Sequence, residues 1–280
     1  MDKLINGKEV SKKIREELKK EIESFPRKPS LVVIQVGNDS ASEIYVKNKE
    51  KAALEIGIDF KHIKYEENVK EEEIINKIKE LNDNDDIDGI LVQLPLPKHL
   101  NETKIINTID PNKDVDGLTI TNMGKLMNKM DGLVSCTPLG VIELLKAYNV
   151  EIKGKHVIIV GRSNLVGKPL IHLFLNNDAT VTVCHSKTEN LSEYTKQADI
   201  LVVAVGKKNL ITRDMVKKDA VVIDVGINRE DGKIYGDVYY LDVFDKVSLI
   251  TPVPGGVGPM TVTMLFKNVI KSYKNKITSK

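Results

Sequence analysis

Tyr45 and Lys49, in the stretch "SEIYVKNK" (42–49), are the first residues whose types and spacing suggest chemistry. The window 41–58 has helical spacing, with Ile44, Ala52, Leu54 and Ile56 expected on the buried side. On a helix, residues four apart share a face. A phenol ring beside an ammonium offers a flat surface for a ligand and a group that moves protons. On composition alone, the same window is a solvated basic helix surface.

A second candidate lies in "VIIVGRSNLVGKP" (157–169), which reads as strand, tight turn and helix. Gly161 ends the strand, Gly167 lets the helix pack close to the sheet, and the amides at the helix N-terminus would face a pyrophosphate. Ser163 stands where the usual G-x-G-x-x-G has its middle glycine, so the motif by itself is also a plain glycine-rich turn. The next strand ends in "CHSKT", with His185 and Ser186 and no carboxylate to take a ribose 2′-hydroxyl. Arg162 and Ser186 instead suit a 2′-phosphate, because guanidinium and hydroxyl donors match its oxygens. NADP is therefore expected over NAD. His185 is either part of that cluster or a packed strand-end residue.

The elements that must position these residues alternate along the chain. Helices are predicted over 7–24, 40–56 and 70–82, with a short one near 100–108. Between them lie the apolar run "SLVVIQVG" (30–37), the weakly alternating 59–65 and "DGILVQLPLP" (88–97), broken by Pro95. Such βαβ alternation predicts a parallel sheet covered by helices. After a boundary within 118–138, a helix at 138–149 leads into four β-branched runs at 155–160, 179–186, 198–206 and 220–226. That is the rhythm of a doubly wound nucleotide-binding domain. A final helix runs from Pro259 to about Ile277 and crosses back to the first domain.

Bulk properties narrow the function class. The 280 residues carry 42 basic and 40 acidic side chains, a net charge of +2, with 41% hydrophobic and 29% charged residues. The charges alternate without a basic block, which argues against nucleic acid or membrane-surface binding. No apolar run is long enough to span a bilayer, and no secretory signal is legible. Cys136 and Cys184 are far apart and lack metal-ligand spacing, so neither disulfide nor metal is expected. A reducing cytoplasm fits.

Five peptides in order, "SEIYVKNK", "GILVQLPLP" (89–97), "KDVDGL" (113–118), "VGRSNLVGKP" and "TPVPGGVGPMT" (251–261), closely resemble the bifunctional methylenetetrahydrofolate dehydrogenase/cyclohydrolase family. The resemblance runs almost end to end. It implies two α/β lobes with a cleft between them, the second a Rossmann-like doubly wound parallel sheet, and a C-terminal helix returning to the first lobe. Residues 1–120 plus 260–280 would form the folate-binding catalytic domain, and 121–259 the NADP-binding domain. It implies tetrahydrofolate derivatives, polyglutamylated, as substrates, and a homodimer. Lys49 would be the central catalytic group, Gln93 its positioning partner, Tyr45 a surface for the folate and Asp116 the acceptor for the pterin edge. Without the resemblance, Gln93 is an edge amide and Asp116 a turn former. Pro254, Gly255 and Gly256 would lie near folate and nicotinamide, and Ile227 and Val166 near the cofactor. Thr137 reads as an N-cap, although the family places it by the nicotinamide. The nearest rival is a monofunctional dehydrogenase, against which the intact Lys49 and Gln93 argue. A non-catalytic nucleotide-binding module is the reading from another class.

Overall fold

The continuous apolar runs become buried parallel strands. The computed structural model describes residues 3–278, and every side chain among them except those of Ser40 and Ala41. Helix α1 (Gly7–Ile22) precedes β1 (Ser30–Val36), α2 (Ser40–Ile56), β2 (Asp59–Tyr65), α3 (Glu71–Asp83) and β3 (Gly89–Val92). The sheet order is β2-β1-β3, all parallel. Six of the seven β1 residues are buried, as a central strand with both faces covered requires. Helix α3 lays Ile74, Ile75, Ile78 and Leu81 against it. The strand expected over 88–97 ends at Val92, and the Leu94–Pro95 peptide that follows is cis. Beside β3, Asp114 forms one further parallel bridge with Ile90. Two short helices flank that segment, α4 (Glu102–Ile106) and α5 (Ile120–Met127).

The rest of the chain runs α6 (Cys136–Ala147), β4 (His156–Val160), α7 (Gly167–Asn176), β5 (Thr180–Cys184), α8 (Leu191–Thr195), β6 (Ile200–Val203) and β7 (Val221–Asp224). A hairpin of β8 (Asn228–Glu230) and β9 (Lys233–Tyr235) follows, then α9 (Tyr240–Val243), β10 (Leu249–Ile250) and α10 (Val257–Thr278). The five-stranded parallel sheet has the order β10-β7-β6-β4-β5. Numbered within this half, that is 5-4-3-1-2, a doubly wound sheet whose strand order reverses between β4 and β6.

Two compact units result. The first gathers Lys13–Cys136 and the chain from Val262 onward; the second holds the chain up to Lys12 and Thr137–Thr261. Sequence reading instead cut the chain at 120/121 and 259/260. Two local causes set the observed limits. Thr119 caps α5, and the amide of Asn122 ties that helix to Asp114 and to the Pro111 carbonyl. At the start of the chain, the Ile5 amide donates to Ile250 and the Ile250 amide to Lys3, which extends the second sheet. Most of α10 belongs to the first unit, where Asn268 donates to the carbonyls of Val115 and Val134. Among the described residues, no helix is long and apolar enough to cross a membrane.

Candidate functional site

Helix α2 begins at Asp39, whose carboxylate accepts from the Ser42 amide at 2.8 Å, and it ends at Gly57 in a left-handed conformation, φ 93°. Its inward stripe runs through Ser42, Val46, Ala53 and Ile56, all buried, and Lys49 sits in the middle of it at the same 4-3-4-3 spacing. The expected apolar side was partly wrong. Ile44 and Leu54 are exposed, because they point about a quarter turn or more away from this stripe. Tyr45, four residues before Lys49, lies at the edge of the stripe and is 40% exposed.

An ammonium on an inward stripe needs partners. Lys49 Nζ donates to Gln93 Oε1 at 2.8 Å, and Gln93 Nε2 donates to the Leu94 carbonyl at 2.7 Å. The second bond fixes which end of the amide faces the lysine. Burial holds the Lys49 ammonium below the ordinary lysine value of 10.5, opposed by the charge of Asp116 and, more weakly, by Cys136. Burial also pushes the Cys136 thiol well up, with Asp116 adding to the effect and Lys49 opposing it. Lys49, Gln93, Asp116 and Cys136 thus form one cluster in the first unit. Gln93 follows the end of β3, and Asp116 stands two residues beyond the bridge that flanks β3. Both therefore lie at the carboxyl ends of neighbouring parallel segments, where α/β sheets bind ligands.

The peptide "KDVDG" divides its labour by position. Lys113 is buried and donates to the carbonyls of Leu81, Asn82 and Asn84, which closes the C-terminus of α3. Asp114 is buried and accepts from the amides of Leu118 and Thr119 and from Asn122. Val115 is core, and Asp116 is half-buried. Gly117 adopts φ 68°, and a Cβ there would lie 2.4 Å from the Val134 backbone. Asp114 is thereby consumed by structure. Cys136 is the participant that sequence reading missed, since a lone cysteine between Ser135 and Thr137 carries no local signal.

In the second unit, Gly161 has φ 130°, and a Cβ on it would lie 2.3 Å from the Ala204 carbonyl oxygen. A Cβ on Gly167 would lie 2.3 Å from the Gly161 oxygen. The two glycines therefore permit the closest approach of turn, strand and helix, right at the β4/β6 switch point. Arg162 and Ser163 are exposed, and Val166 is half-buried. Ser163 Oγ accepts from the amides of Val166 and Gly167 at 3.2 and 3.4 Å, so its own O–H remains to donate outward. The hydroxyl thus takes part in the turn that a middle glycine would have left to backbone alone.

Val160 and Cys184 pair in register, and Arg162 and Ser186 each follow that pair by two residues at adjacent strand ends. His185 is held in its turn. Its amide donates to Thr188 Oγ1, and its Nδ1 accepts from the Lys187 amide. Ser186 is exposed. An exposed guanidinium and hydroxyls at these two strand ends form a donor set that fits a phosphorylated ribose. Ile227, between β7 and the hairpin, is 47% exposed. Thr137 is the second residue of α6 rather than its cap, and its hydroxyl meets Thr261 Oγ1 at 2.9 Å. Pro254 is exposed, while Gly255 (φ 107°) and Gly256 are buried. The Gly255 carbonyl accepts from the Lys8 amide, and a Cβ on Gly7 would lie 1.8 Å from the Gly256 oxygen.

Fold and site together define a dinucleotide-binding α/β protein whose other unit presents a half-buried lysine beside an amide and a carboxylate. Residues 5–116 match the tetrahydrofolate dehydrogenase/cyclohydrolase catalytic domain, and residues 135–277 the NAD(P)-binding domain of the same family. The chain belongs to the tetrahydrofolate dehydrogenase/cyclohydrolase family. It is 54% identical over 280 residues to the bifunctional protein FolD of Campylobacter hominis, covering 98% of each chain. The crystal structure of the bifunctional enzyme FolD from Campylobacter jejuni is similar at a TM-score of 0.95 and 49% identity, covering 97% of this chain and 98% of that one. The Trypanosoma brucei methylenetetrahydrofolate dehydrogenase-cyclohydrolase, complexed with NADP cofactor and inhibitor, is similar at 0.93 and 36%, covering 98% of both.

Proposed function

We propose that this protein oxidises 5,10-methylenetetrahydrofolate to the 5,10-methenyl form with NADP and then hydrolyses it to 10-formyltetrahydrofolate, in one-carbon metabolism. The observation that carries the reading is the 2.8 Å bond between the Lys49 ammonium and Gln93, made beside Asp116. NADP supplies a hydride acceptor when bound. The chain's own residues orient the folate and handle protons.

Asp116 accepts two hydrogen bonds from the amino-pyrimidinone edge of the pterin and fixes its orientation. Tyr45 lies along the ring with little side-chain entropy to lose. Oxidation leaves a cationic methenyl carbon, to which water adds. The Lys49 amine takes a proton from that water and delivers it to the ring nitrogen as the carbon–nitrogen bond opens, and the remaining hydroxyl proton is released to solvent as the formyl carbonyl forms. Burial lowers the Lys49 ammonium from its ordinary value, which eases release of its proton, and the neutral Gln93 amide orients it without adding charge. Gly161, Arg162, Ser163, Val166, Gly167, His185, Ser186 and Ile227 hold the cofactor, with Thr137, Pro254, Gly255 and Gly256 near its reactive end. The folate domain is the catalytic one, the substrates carry polyglutamate tails, and the enzyme is a homodimer. Two buried, unpaired thiols support a cytoplasmic location.

Absorbance tests the reading on the purified chain. Methylenetetrahydrofolate with NADP should produce NADPH and the methenyl chromophore, and added methenyltetrahydrofolate should lose its absorbance without NADP. Absence of both reactions overturns the proposal. Sedimentation equilibrium at twice the chain mass tests the dimer.

A further inference from the structure

Two acids outside the described machinery, Asp224 and Asp237, are 3% and 0% exposed. Asp224 ends β7, and its carboxylate accepts from the amides of Gly226, Asp237 and Val238 at 2.8–3.0 Å. Asp237 follows β9. Its Oδ2 accepts from the amides of Val205 and Gly206 at 2.7 and 3.0 Å, and its Oδ1 from Lys207 and from Asn228 Nδ2 at 2.8 and 2.9 Å. The two acids are mutually seated by glycines. A Cβ on Gly226 would lie 2.1 Å from Asp237 Cγ, and one on Gly236 would lie 1.9 Å from Asp224 Oδ2. Asp224 therefore decides where Asp237 stands. Asp237 in turn decides where the chain stands after β6 and after β7.

Burying two carboxylates together is unfavourable, and apolar residues would fill the space more cheaply. Burial, with Asp237 nearby, pushes Asp224 up to about 7 despite its amide donors. What the pair secures is backbone position. The chain at 205–207 and Asn228 follow the carboxyl ends of β6 and β7. These ends lie across the switch point from β5, whose end carries His185 and Ser186. A dinucleotide laid across a switch point puts one mononucleotide on each side. With the 2′-phosphate cluster on the β5 side, the β6–β7 side receives the nicotinamide mononucleotide. There the backbone is tied inward by Asp237, while the side chains of Val205 and Ile227 stand 38% and 47% exposed.

We propose that Asp237, seated by Asp224, is a positioning residue for the nicotinamide half of the cofactor: it fixes Val205, Gly206, Lys207 and Asn228 so that Val205 and Ile227 flank that half. The proposal rests on the NADP reading and assigns Val205 as a further cofactor-contact residue. It differs from Arg162 in its expected signature, because both NADP and NAD carry the nicotinamide.

The test is Asp237→Asn in the full-length protein. The amide keeps the size but turns a donor toward amide donors. We expect kcat/KM for NADP and for NAD to fall together by about 10- to 100-fold, with the ratio of the two held within about twofold. Hydrolysis of methenyltetrahydrofolate without cofactor should stay within about twofold of the parent. Unchanged dehydrogenase kinetics, or an equal loss of hydrolysis in folded protein, overturns the proposal. Should Asp237→Asn not fold, Val205→Ser at the exposed flank carries the same test. It should lower kcat for both cofactors by about 3- to 10-fold and leave hydrolysis intact, and parental dehydrogenase rates in it overturn the proposal. A parent that binds neither NADP nor NAD in calorimetry removes the underlying cofactor reading and the proposal with it. A parent that binds, beside an unaffected variant, overturns the proposal alone.

Discussion

If Gln93 acts only by holding Lys49, its removal must cost nothing once Lys49 is gone. The perturbation is Gln93→Leu, made in the parent and in Lys49→Met. The bond at stake has an ammonium donor, a 2.8 Å length and half-buried partners, so solvent screens it only in part. Hydrogen bonds to charged groups contribute about 1.5–3 kcal/mol. At ~1.4 kcal/mol per tenfold, Gln93→Leu should slow methenyl hydrolysis by about 10- to 100-fold if the bond is needed in the transition state. Lys49→Met removes the proton carrier and should cost roughly 10²- to 10⁴-fold, while its unbranched stem keeps the packing of the α2 stripe. The double variant should be no slower than Lys49→Met, giving a coupling of about 1.5–3 kcal/mol. The assay is loss of methenyl absorbance in single turnovers, with urea unfolding as a check that stability changes by less than ~1.5 kcal/mol. Equal loss from Gln93→Leu in both backgrounds would show that the amide acts independently of the lysine. Hydrolysis at the parental rate in Lys49→Met would remove the proton-carrier role altogether.

Three further outcomes follow from the same geometry. Asp116 favours the Lys49 ammonium, so Asp116→Asn should lower the Lys49 pKa further below 10.5, read by ¹³C NMR of labelled lysine; no shift, or a rise, refutes the coupling. Because folding depresses this pKa, the unfolded chain binds more protons between the folded value and 10.5, and the group's contribution to stability must rise with pH through that window. Arg162→Ala should narrow the preference for NADP over NAD in relative kcat/KM, and an unchanged ratio removes the 2′-phosphate assignment. Arg27→Met should destabilise the first unit by about 3 kcal/mol in urea unfolding. It removes the guanidinium that donates to the fully buried Asp88 carboxylate at 2.6 and 2.7 Å, leaving that carboxylate the Ser30 amide and, at 4.0 Å, the Lys276 ammonium, and it loses the guanidinium over the Tyr273 ring. Adding Asp88→Leu should recover part of that loss.

Local patterning was enough for most of the fold. Runs such as "SLVVIQVG" and "AVVIDVG" are mostly apolar because parallel strands bury both faces, and so they are legible one segment at a time despite Gln35 and Asp224 within them. Gly161 at a strand end and Gly167 at a helix start announce close approach because nothing larger fits. The four peptides that hold Tyr45 and Lys49, Gln93, Asp116 and Arg162, and the fifth with Gly255 and Gly256, were legible by resemblance, which carried their expected roles. Other features escaped local pattern. Helix α5 was missed because its stability comes from the Thr119 cap and the Asn122 tie to Asp114 rather than from a long apolar period. The stripe of α2 was assigned partly to the wrong side, because Ile44 and Leu54 look more apolar than Ser42 and Lys49, which actually face inward.

What the sequence determined by itself was therefore periodicity, turn chemistry and family: properties written within a few residues or in the order of motifs. What only the tertiary structure decided was partnership. Lys49 and Gln93 are 44 residues apart, and Asp237 meets the amides of 205–207 some 30 residues away. A buried charge or amide takes its character from whatever folding brings within about 3 Å, and no spacing rule along the chain encodes that.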